Sequence, residues 1–265
     1  MKIHLTTLFA CLILISSCTP PMTAPAAGKL RVITEVYPPY NFVDKNGNVT
    51  GQSVEIVQAI LQKSGTAAAV EVMPLSEGLD LARKGPNIVV FSINRTPQRE
   101  GLYKWVGPIG DYKQVFYTRK GSTVRVDKLE DAMAAAGIAV YKGDAGNQFL
   151  AAKGFTNLDE SQTDLEALKK LADNRVQLWL GNKGGLAVTA KQAGIRPDEL
   201  VELPVVVTQA DLYIAVSKDV PDSSVSAWQK ILDSLKLEKS ADGKTAYDKI
   251  LAKYDDFNYV QSLLE

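Results

Sequence analysis

The sequence predicts an α/β protein in which mainly parallel sheets are covered by helices on both faces. Short apolar runs with the composition of β-strands recur along the chain, and segments with one apolar helical face lie between them. Strands that alternate with helices usually form parallel sheets, because each helix crosses a sheet face before the next strand begins. The periodicity leaves open whether the strands form one sheet or two.

Five runs rich in β-branched and aromatic residues have the length of strands. They cover residues 30–34, 88–92, 138–141, 176–180 and 212–216. Four further segments place their apolar residues on one helical face. These are residues 53–64, 164–172, 223–235 and 245–254.

The first 28 residues are predicted to lie outside the fold. An apolar run over residues 5–15 is too short to span a bilayer, which is typical of a secretory signal. Ser16 and Ser17 lead directly into Cys18, which resembles the lipobox of bacterial lipoproteins. The resemblance implies a signal peptide over 1–17, a lipid on Cys18 and an extended tether over 18–28. The alternative is an ordinary signal peptide cut slightly later, near residues 24–28.

The composition excludes several classes of protein. Lys and Arg together number 30, as do Asp and Glu, so no net field favours nucleic acid. The only histidine is His4 and the only cysteines are Cys11 and Cys18, so the chain beyond Cys18 has neither imidazole nor free thiol. This excludes Ser-His-Asp triads, Cys-His nucleophiles and zinc sites built on His or Cys. We therefore expect no cofactor and no metal, although enzymes that use carboxylates, Lys or Tyr stay open.

Six motifs follow one another in an order and spacing that resemble one protein family. They are residues 37–42 (YPPYNF), 44–56 (a turn that leads into an acidic helix), 92–109, 139–144 (AVYKGD), 172–179 (ADNRVQLW) and 212–218 (LYIAVSK). Together they resemble the extracellular solute-binding proteins of bacterial uptake systems, in the polar amino-acid branch (family 3 of the ABC-transporter binding proteins). The motifs cover nearly the whole chain after residue 30.

The resemblance implies a periplasmic-binding-protein-like fold of two lobes, each a mainly parallel sheet flanked by helices, joined by two hinge strands. Lobe one is expected over 29–112 plus 209–265, and lobe two over 113–208. The hinge strands are expected near residues 110–117 and 203–210. The ligand of such a protein lies in the cleft, at the strand ends of both lobes, which agrees with the general rule for open α/β sheets.

Two residues of lobe one carry the strongest expectations. The resemblance places Arg99 where an arginine holds a ligand carboxylate, and a planar guanidinium can donate two parallel hydrogen bonds to that group. The alternative is a surface arginine paired with Glu100 or Glu77. Tyr37 matches an aromatic residue that stacks on the ligand. Its alternative role is that of a core aromatic beside Pro38.

Three further residues are expected at the cleft on weaker grounds. Ser92 and Asn94 lie on the same side of a strand end, where they bind ligand or cap the following turn. Asp144 begins a helix and is a good N-cap. In the family this point often holds Thr or Ser near a ligand carboxylate, so an aspartate there faces a cationic ligand group instead.

Asn182 departs from the family pattern. The motif around 172–179 aligns Asn182 with an aspartate that binds the α-amino group of the ligand. An amide accepts a hydrogen bond from an ammonium group but supplies no charge. The ligand therefore lacks an amine at this position, or its amine is held by Asp144 or Glu35, unless residues 182–185 are a plain loop.

The resulting expectation is a monomeric lipoprotein, periplasmic or at the cell surface, that is anchored to a membrane by its lipid. It binds a small polar solute, catalyses nothing and delivers the solute to an ABC-type permease. One alternative is a sensory module that presents ligand to a membrane receptor. Another is a periplasmic dehydratase-like enzyme on the same scaffold, with Glu35 or Asp144 as an acid or base.

Overall fold

The computed structural model describes residues 29–264. The predicted signal peptide, Cys18 and the tether up to residue 28 lie outside the described residues. The strands are β1 (Arg31–Thr34), β2 (Phe42–Val43), β3 (Val49–Thr50), β4 (Val70–Val72), β5 (Ile88–Asn94), β6 (Lys104–Arg119), β7 (Ile138–Tyr141), β8 (Leu158–Ser161), β9 (Leu178–Asn182) and β10 (Leu200–Val216). The helices are α1 (Gln52–Lys63), α2 (Leu75–Lys84), α3 (Pro97–Glu100), α4 (Ala145–Ala152), α5 (Asp164–Ala172), α6 (Leu186–Gln192), α7 (Asp222–Leu237), α8 (Ala246–Asp255) and α9 (Phe257–Leu264).

Eight of these strands form one continuous sheet in the order β4-β1-β5-β10-β6-β9-β7-β8. β1 pairs in parallel with β4 and β5, and β7 pairs in parallel with β8 and β9. β6 and β10 are antiparallel to each other and to their outer neighbours, β9 and β5. The α/β class is confirmed, and the strands that periodicity could not assign to one sheet or two form a single sheet.

The two lobes are joined by the long strands β6 and β10, which contain 16 and 17 residues. At about 3.3 Å per residue, each is long enough to run through both lobes. Lobe one contains β4, β1 and β5 on one side of this pair, and lobe two contains β9, β7 and β8 on the other. The segments expected to cross between lobes, 110–117 and 203–210, lie within β6 and β10, where Tyr112 pairs with Ala210 and Lys113 with Gln209.

Helices cover both faces of the sheet in each lobe. In lobe one, α7 packs on one face through Leu232, and α2 packs on the other through Leu79. In lobe two, Leu150 of α4 and Leu168 of α5 belong to separate cores on opposite faces. This double cover explains why the inner strands are apolar runs: all seven residues of β5 are buried.

The predicted boundaries differ from the observed ones in a few elements. β7 and α5 begin and end as predicted, whereas β5 runs two residues past its predicted end and β9 is shifted by two residues toward the C-terminus. β10 is far longer than predicted, because its first part belongs to the hinge. No helix within residues 29–264 is both long enough and apolar enough to cross a membrane.

Candidate ligand-binding site

A small cavity lies between the two lobes, at the ends of β1, β5 and β7. Its volume is about 10 Å³, which is room for about one water molecule. Its lining residues come from both lobes: Glu35, Tyr37, Leu75, Ser92, Ile93, Asn94, Arg99, Tyr112, Tyr141, Asp144 and Leu212. The lobes are therefore closed on each other, and a solute larger than water reaches this space only when they separate.

Arg99 lies in α3, where Pro97 occupies the first turn and fixes the chain direction. The side chain is only 4% exposed. Its Nη1 donates to Asn94 O (3.2 Å), and its Nη2 donates to Gly143 O of lobe two (2.6 Å). Burial lowers the pKa of Arg99.

Arg99 forms no ion pair with any carboxylate among residues 29–264. The alternative pairing with Glu100 does not occur, because Glu100 accepts two hydrogen bonds of 2.6 Å from Arg95. A buried cation is normally paired, since burial removes its hydration. The unused donors of this guanidinium therefore suit an anionic group inside the cleft.

Glu35 follows β1 and is buried. Burial, with a smaller contribution from the charge of Asp144, raises the pKa of Glu35 to about 8, and a hydrogen bond with Tyr141 partly opposes the rise. Its Oε2 has no hydrogen-bond partner. Glu35 is thus a neutral acid in this conformation, and a cationic group in the cavity would favour its ionised form. The sequence offered Glu35 only as an alternative to Asp144 for holding an amine of the ligand, and the cavity includes both residues.

Tyr37 lines the cavity with one face of its ring covered by a second aromatic residue. Its ring stacks on Tyr40 with centroids 5.7 Å apart and an interplanar angle of 22°. The Tyr37 hydroxyl is buried without a partner, and burial raises its pKa. The structure therefore places Tyr37 at the cavity, as expected, with one ring face covered by Tyr40 and the hydroxyl left for a ligand.

Ser92 and Asn94 line the cavity, but their side chains are engaged within the protein. Ser92 adopts a φ of 67° at an irregularity in the pairing of β5 with β10. The regular alternation of side chains that was expected from the sequence is therefore interrupted at Ser92. Its hydroxyl donates to Asn41 Oδ1 (2.5 Å), and Asn94 Nδ2 donates to Asp211 O (3.1 Å). Both residues fix the walls of the cavity through these bonds.

Asp144 is the N-cap of α4, which is the local role expected from sequence. One oxygen accepts from Asn147 N (2.6 Å) and the other from Gln114 Nε2 (2.6 Å). Burial raises the pKa of Asp144. Although Asp144 lines the cavity, both of its oxygens already have partners in β6 and α4.

Asn182 lies outside this cavity. It is buried at the end of β9, where its Oδ1 accepts from Gly184 N (3.3 Å) and its Nδ2 has no partner. Its side chain lies near Tyr40, whose pKa is raised by burial and whose hydroxyl donates to Asp111 O (2.9 Å). Asn182 therefore contacts the loop after β1 and not the space around Arg99.

Tyr141 is a contact between the lobes that the sequence did not indicate. Its hydroxyl accepts a hydrogen bond from Leu75 N (3.1 Å), the first backbone amide of α2. The N-cap of α2 is Pro74, which offers no side-chain acceptor, so Tyr141 of lobe two satisfies a helix terminus in lobe one. With the Arg99–Gly143 bond, this contact holds the lobes together.

Two α/β lobes joined by a pair of long strands, with a cavity between them lined by buried polar groups, define the class of periplasmic binding proteins. Within this class, residues 30–255 match the model of the bacterial extracellular solute-binding proteins, family 3. The chain belongs to this family.

Individual relatives are distant. The putative ABC transporter arginine-binding protein 2 of Escherichia coli (strain K12) is 24% identical over 131 residues, and the match spans 49% of this chain and 52% of that protein, about half of each. A solved histidine kinase sensor domain with similarity to periplasmic binding proteins gives a TM-score of 0.75 at 21% identity, covering 86% of this chain and 96% of that one. A variant of ArgBP from T. maritima gives 0.73 at 20% identity, covering 85% and 95%. These structural likenesses show the shared fold.

Proposed function

We propose that this protein binds an amino-acid-like solute, bearing a carboxylate and a cationic group, between its two lobes. The observation that carries this proposal is the buried guanidinium of Arg99, which is held by two backbone carbonyls and by no carboxylate of residues 29–264. A solute carboxylate supplies the missing charge, and charge-assisted bonds of this kind contribute about 1.5–3 kcal/mol each.

The cationic end of the solute is assigned to Glu35. Its Oε2 is a buried acceptor without a partner, and Tyr37, which lines the same cavity, has a hydroxyl that is likewise unpartnered. A positive charge near Glu35 offsets the desolvation that now raises its pKa. Asp144 is less suited to this role, because Asn147 N and Gln114 Nε2 already occupy its oxygens.

The solute binds while the lobes are apart and is enclosed when they close. Lobe one offers Arg99, Glu35 and Tyr37, and lobe two then adds Tyr141 and the Gly143 carbonyl. Because these contacts exist together only in the closed form, the solute shifts the equilibrium toward closure. The closed protein, a monomer anchored in the periplasm or at the cell surface through a lipid on Cys18, then delivers the solute to an ABC-type permease. Family membership and the transporter relative support this step.

One alternative has a specific observation in its favour. The likeness to a histidine kinase sensor domain, with a TM-score of 0.75, fits a module that presents its ligand to a membrane receptor. Uptake of labelled solute by cells that carry or lack this protein separates the two functions. Loss of uptake supports transport, and unchanged uptake with loss of a solute-induced transcriptional response supports sensing.

Binding itself is tested by a thermal-shift and calorimetric screen of amino acids, amines and carboxylates. A solute at 100 times its Kd stabilises the fold by about 2.7 kcal/mol. We expect only solutes with both charged groups to bind, and Arg99→Ala to abolish their binding. Arg83→Ala is the matched control, because Arg83 is exposed and pairs with Asp80 within α2. A solute that binds Arg99→Ala as tightly as the wild type would contradict the assignment.

A further inference from the structure

A second space lies at the outer edge of the closed cleft. This outer groove has a volume of about 480 Å³ and runs between the start of α3 in lobe one and α4 in lobe two, with β10 as its floor. Thr96 and Pro97 form one wall, Gln148, Phe149 and Ala152 form the other, and Val207 lies on the floor. Both lobes build it, so the groove is complete only when they close.

The outer groove continues from the inner cavity. Asn94 and Tyr112 line both spaces. Gly143 O accepts from Arg99 Nη2 on the cavity side (2.6 Å) and from Gln148 Nε2 on the groove side (3.2 Å). The Gly143 carbonyl thus bonds one lining residue of each space, and the two spaces adjoin each other.

The volumes of the two spaces differ in a way that bears on solute size. Sites for small molecules usually measure roughly 300–1,000 Å³, a range that includes the outer groove but not the inner cavity of about 10 Å³. The inner cavity is thus contracted around its charged groups in this conformation. The outer groove stays wide while the lobes are closed, so it accommodates a part of the solute that extends beyond the charged head.

The lining of the outer groove is neutral. Arg95 is the one charged side chain among its described lining residues, and it is engaged by two hydrogen bonds to Glu100 and by the rings of Trp105 and Tyr213. Pro97, Phe149, Ala152 and Val207 supply apolar surface. The groove is therefore built for an uncharged extension.

Resting on the proposed function, we infer that the solute is longer than a simple amino acid. Its charged head, with carboxylate and ammonium, occupies the inner cavity, and a neutral chain extends from the head into the outer groove. The groove then sets specificity for amino acids with a long neutral side chain over shorter ones, and Ala152 marks the space that the chain fills.

The test compares short and long probes that share one head. The pairs are glutamine with N5-butylglutamine, and Nε-acetyllysine with Nε-hexanoyllysine, in which the longer member adds only an uncharged chain. In calorimetry we expect the longer member of at least one pair to bind about tenfold or more tightly than the shorter, from burial of the added apolar chain. Ala152→Phe should reduce that ratio to about one. Ala151→Phe, an exposed neighbour on α4 outside the groove, should preserve it.

The outcomes separate this inference from the proposed function. Equal affinity for both members of each pair, or a ratio that survives Ala152→Phe, would overturn the extended solute while Arg99-dependent binding of the short probes keeps the proposed function. Binding that persists in Arg99→Ala would overturn the assignment of the head, and with it the inference. Failure of all four probes to bind the wild type would overturn both.

Discussion

The two faces of the cleft differ in how their polar groups are satisfied. On lobe one, the Arg99 guanidinium has no carboxylate partner among the described residues, and Glu35 Oε2 and the Tyr37 hydroxyl have no partners. On lobe two, both oxygens of Asp144 accept hydrogen bonds, and the Tyr141 hydroxyl accepts from Leu75 N. Lobe one therefore carries the groups that need a solute, and lobe two carries groups that the protein itself satisfies.

This difference assigns distinct roles to the two lobes. On the proposed function, recognition of charge belongs to lobe one, so its variants should change affinity strongly and according to the charge of the solute. Closure belongs to lobe two, whose contacts with lobe one include the Tyr141 hydroxyl with Leu75 N and Gly143 O with Arg99 Nη2. Variants in lobe two should change affinity moderately and equally for all solutes.

After Arg99→Ala, the largest effect is expected from Glu35→Gln. It removes the charge that pairs with the cationic end of the solute, so affinity should fall about 10- to 100-fold. Calorimetry measures the loss, and Glu77→Gln, an exposed acid on α2, is the matched control. Unchanged affinity in Glu35→Gln would mean that another residue binds the cationic group of the solute. The proposed difference between lobe one and lobe two would then be wrong.

Glu35→Gln should weaken solute binding but, without solute, should make the folded protein more stable than the wild type as the pH rises. Burial raises the pKa of Glu35 from 4.5 to about 8, so between these values the unfolded chain loses the proton that the folded chain keeps. The wild type should therefore lose stability as the pH rises from about 5 to about 8, by on the order of 2–4 kcal/mol more than Glu35→Gln. Urea unfolding at both pH values measures the difference. Parallel pH profiles of the two proteins would show that Glu35 is not buried as an acid.

A moderate effect is expected from Tyr141→Phe. It leaves the Leu75 amide without its acceptor in the closed form, which weakens closure by about 1–2 kcal/mol and lowers affinity about tenfold for any solute. Tyr103→Phe is the control, because the Tyr103 hydroxyl donates to Leu79 O within lobe one. This control should lower the free energy of unfolding and leave affinity unchanged. Equal affinities of Tyr141→Phe and the wild type would show that the contact does not hold the lobes together.

The smallest effect is expected from Asp144→Asn. Asparagine is as good an N-cap as aspartate and can still accept from Asn147 N, and the bond from Gln114 Nε2 that it loses lies within lobe two. Affinity for a zwitterionic solute should change by less than about threefold, again by calorimetry. A loss as large as that of Glu35→Gln would mean that lobe two also recognises the cation.

The fold was predictable where elements are covered by the core. α5 and β7 begin and end as the periodicity predicts, because their buried residues follow the helical and strand periods. β4 and β8 are the outermost strands of the sheet and were not predicted. β4 has three half-buried residues and β8 reads Leu-Asp-Glu-Ser, so neither has the apolar run that marks an inner strand.

The cavity residues that the sequence identified are those indicated by a single local segment of the chain. Asp144 was identified as an N-cap from its position alone, and the resemblance brought Arg99 and Tyr37 to the cavity. The cross-lobe contact of Tyr141 depends on α2, which the periodicity did not reveal. Asn182 was placed by its alignment with a family aspartate, and the structure directs its side chain to Tyr40 instead.

The central claim is that Arg99 of lobe one binds the carboxylate of the solute. The most direct measurement is a thermodynamic cycle in which the wild type and Arg99→Ala are each titrated with an amino acid found by the screen and with its primary amide, which lacks the carboxylate. We expect the wild type to lose about 100-fold in affinity when the carboxylate is replaced, and Arg99→Ala to bind both solutes with nearly equal, weak affinity. The same loss in both proteins would contradict the claim, because the carboxylate would then be recognised by another group.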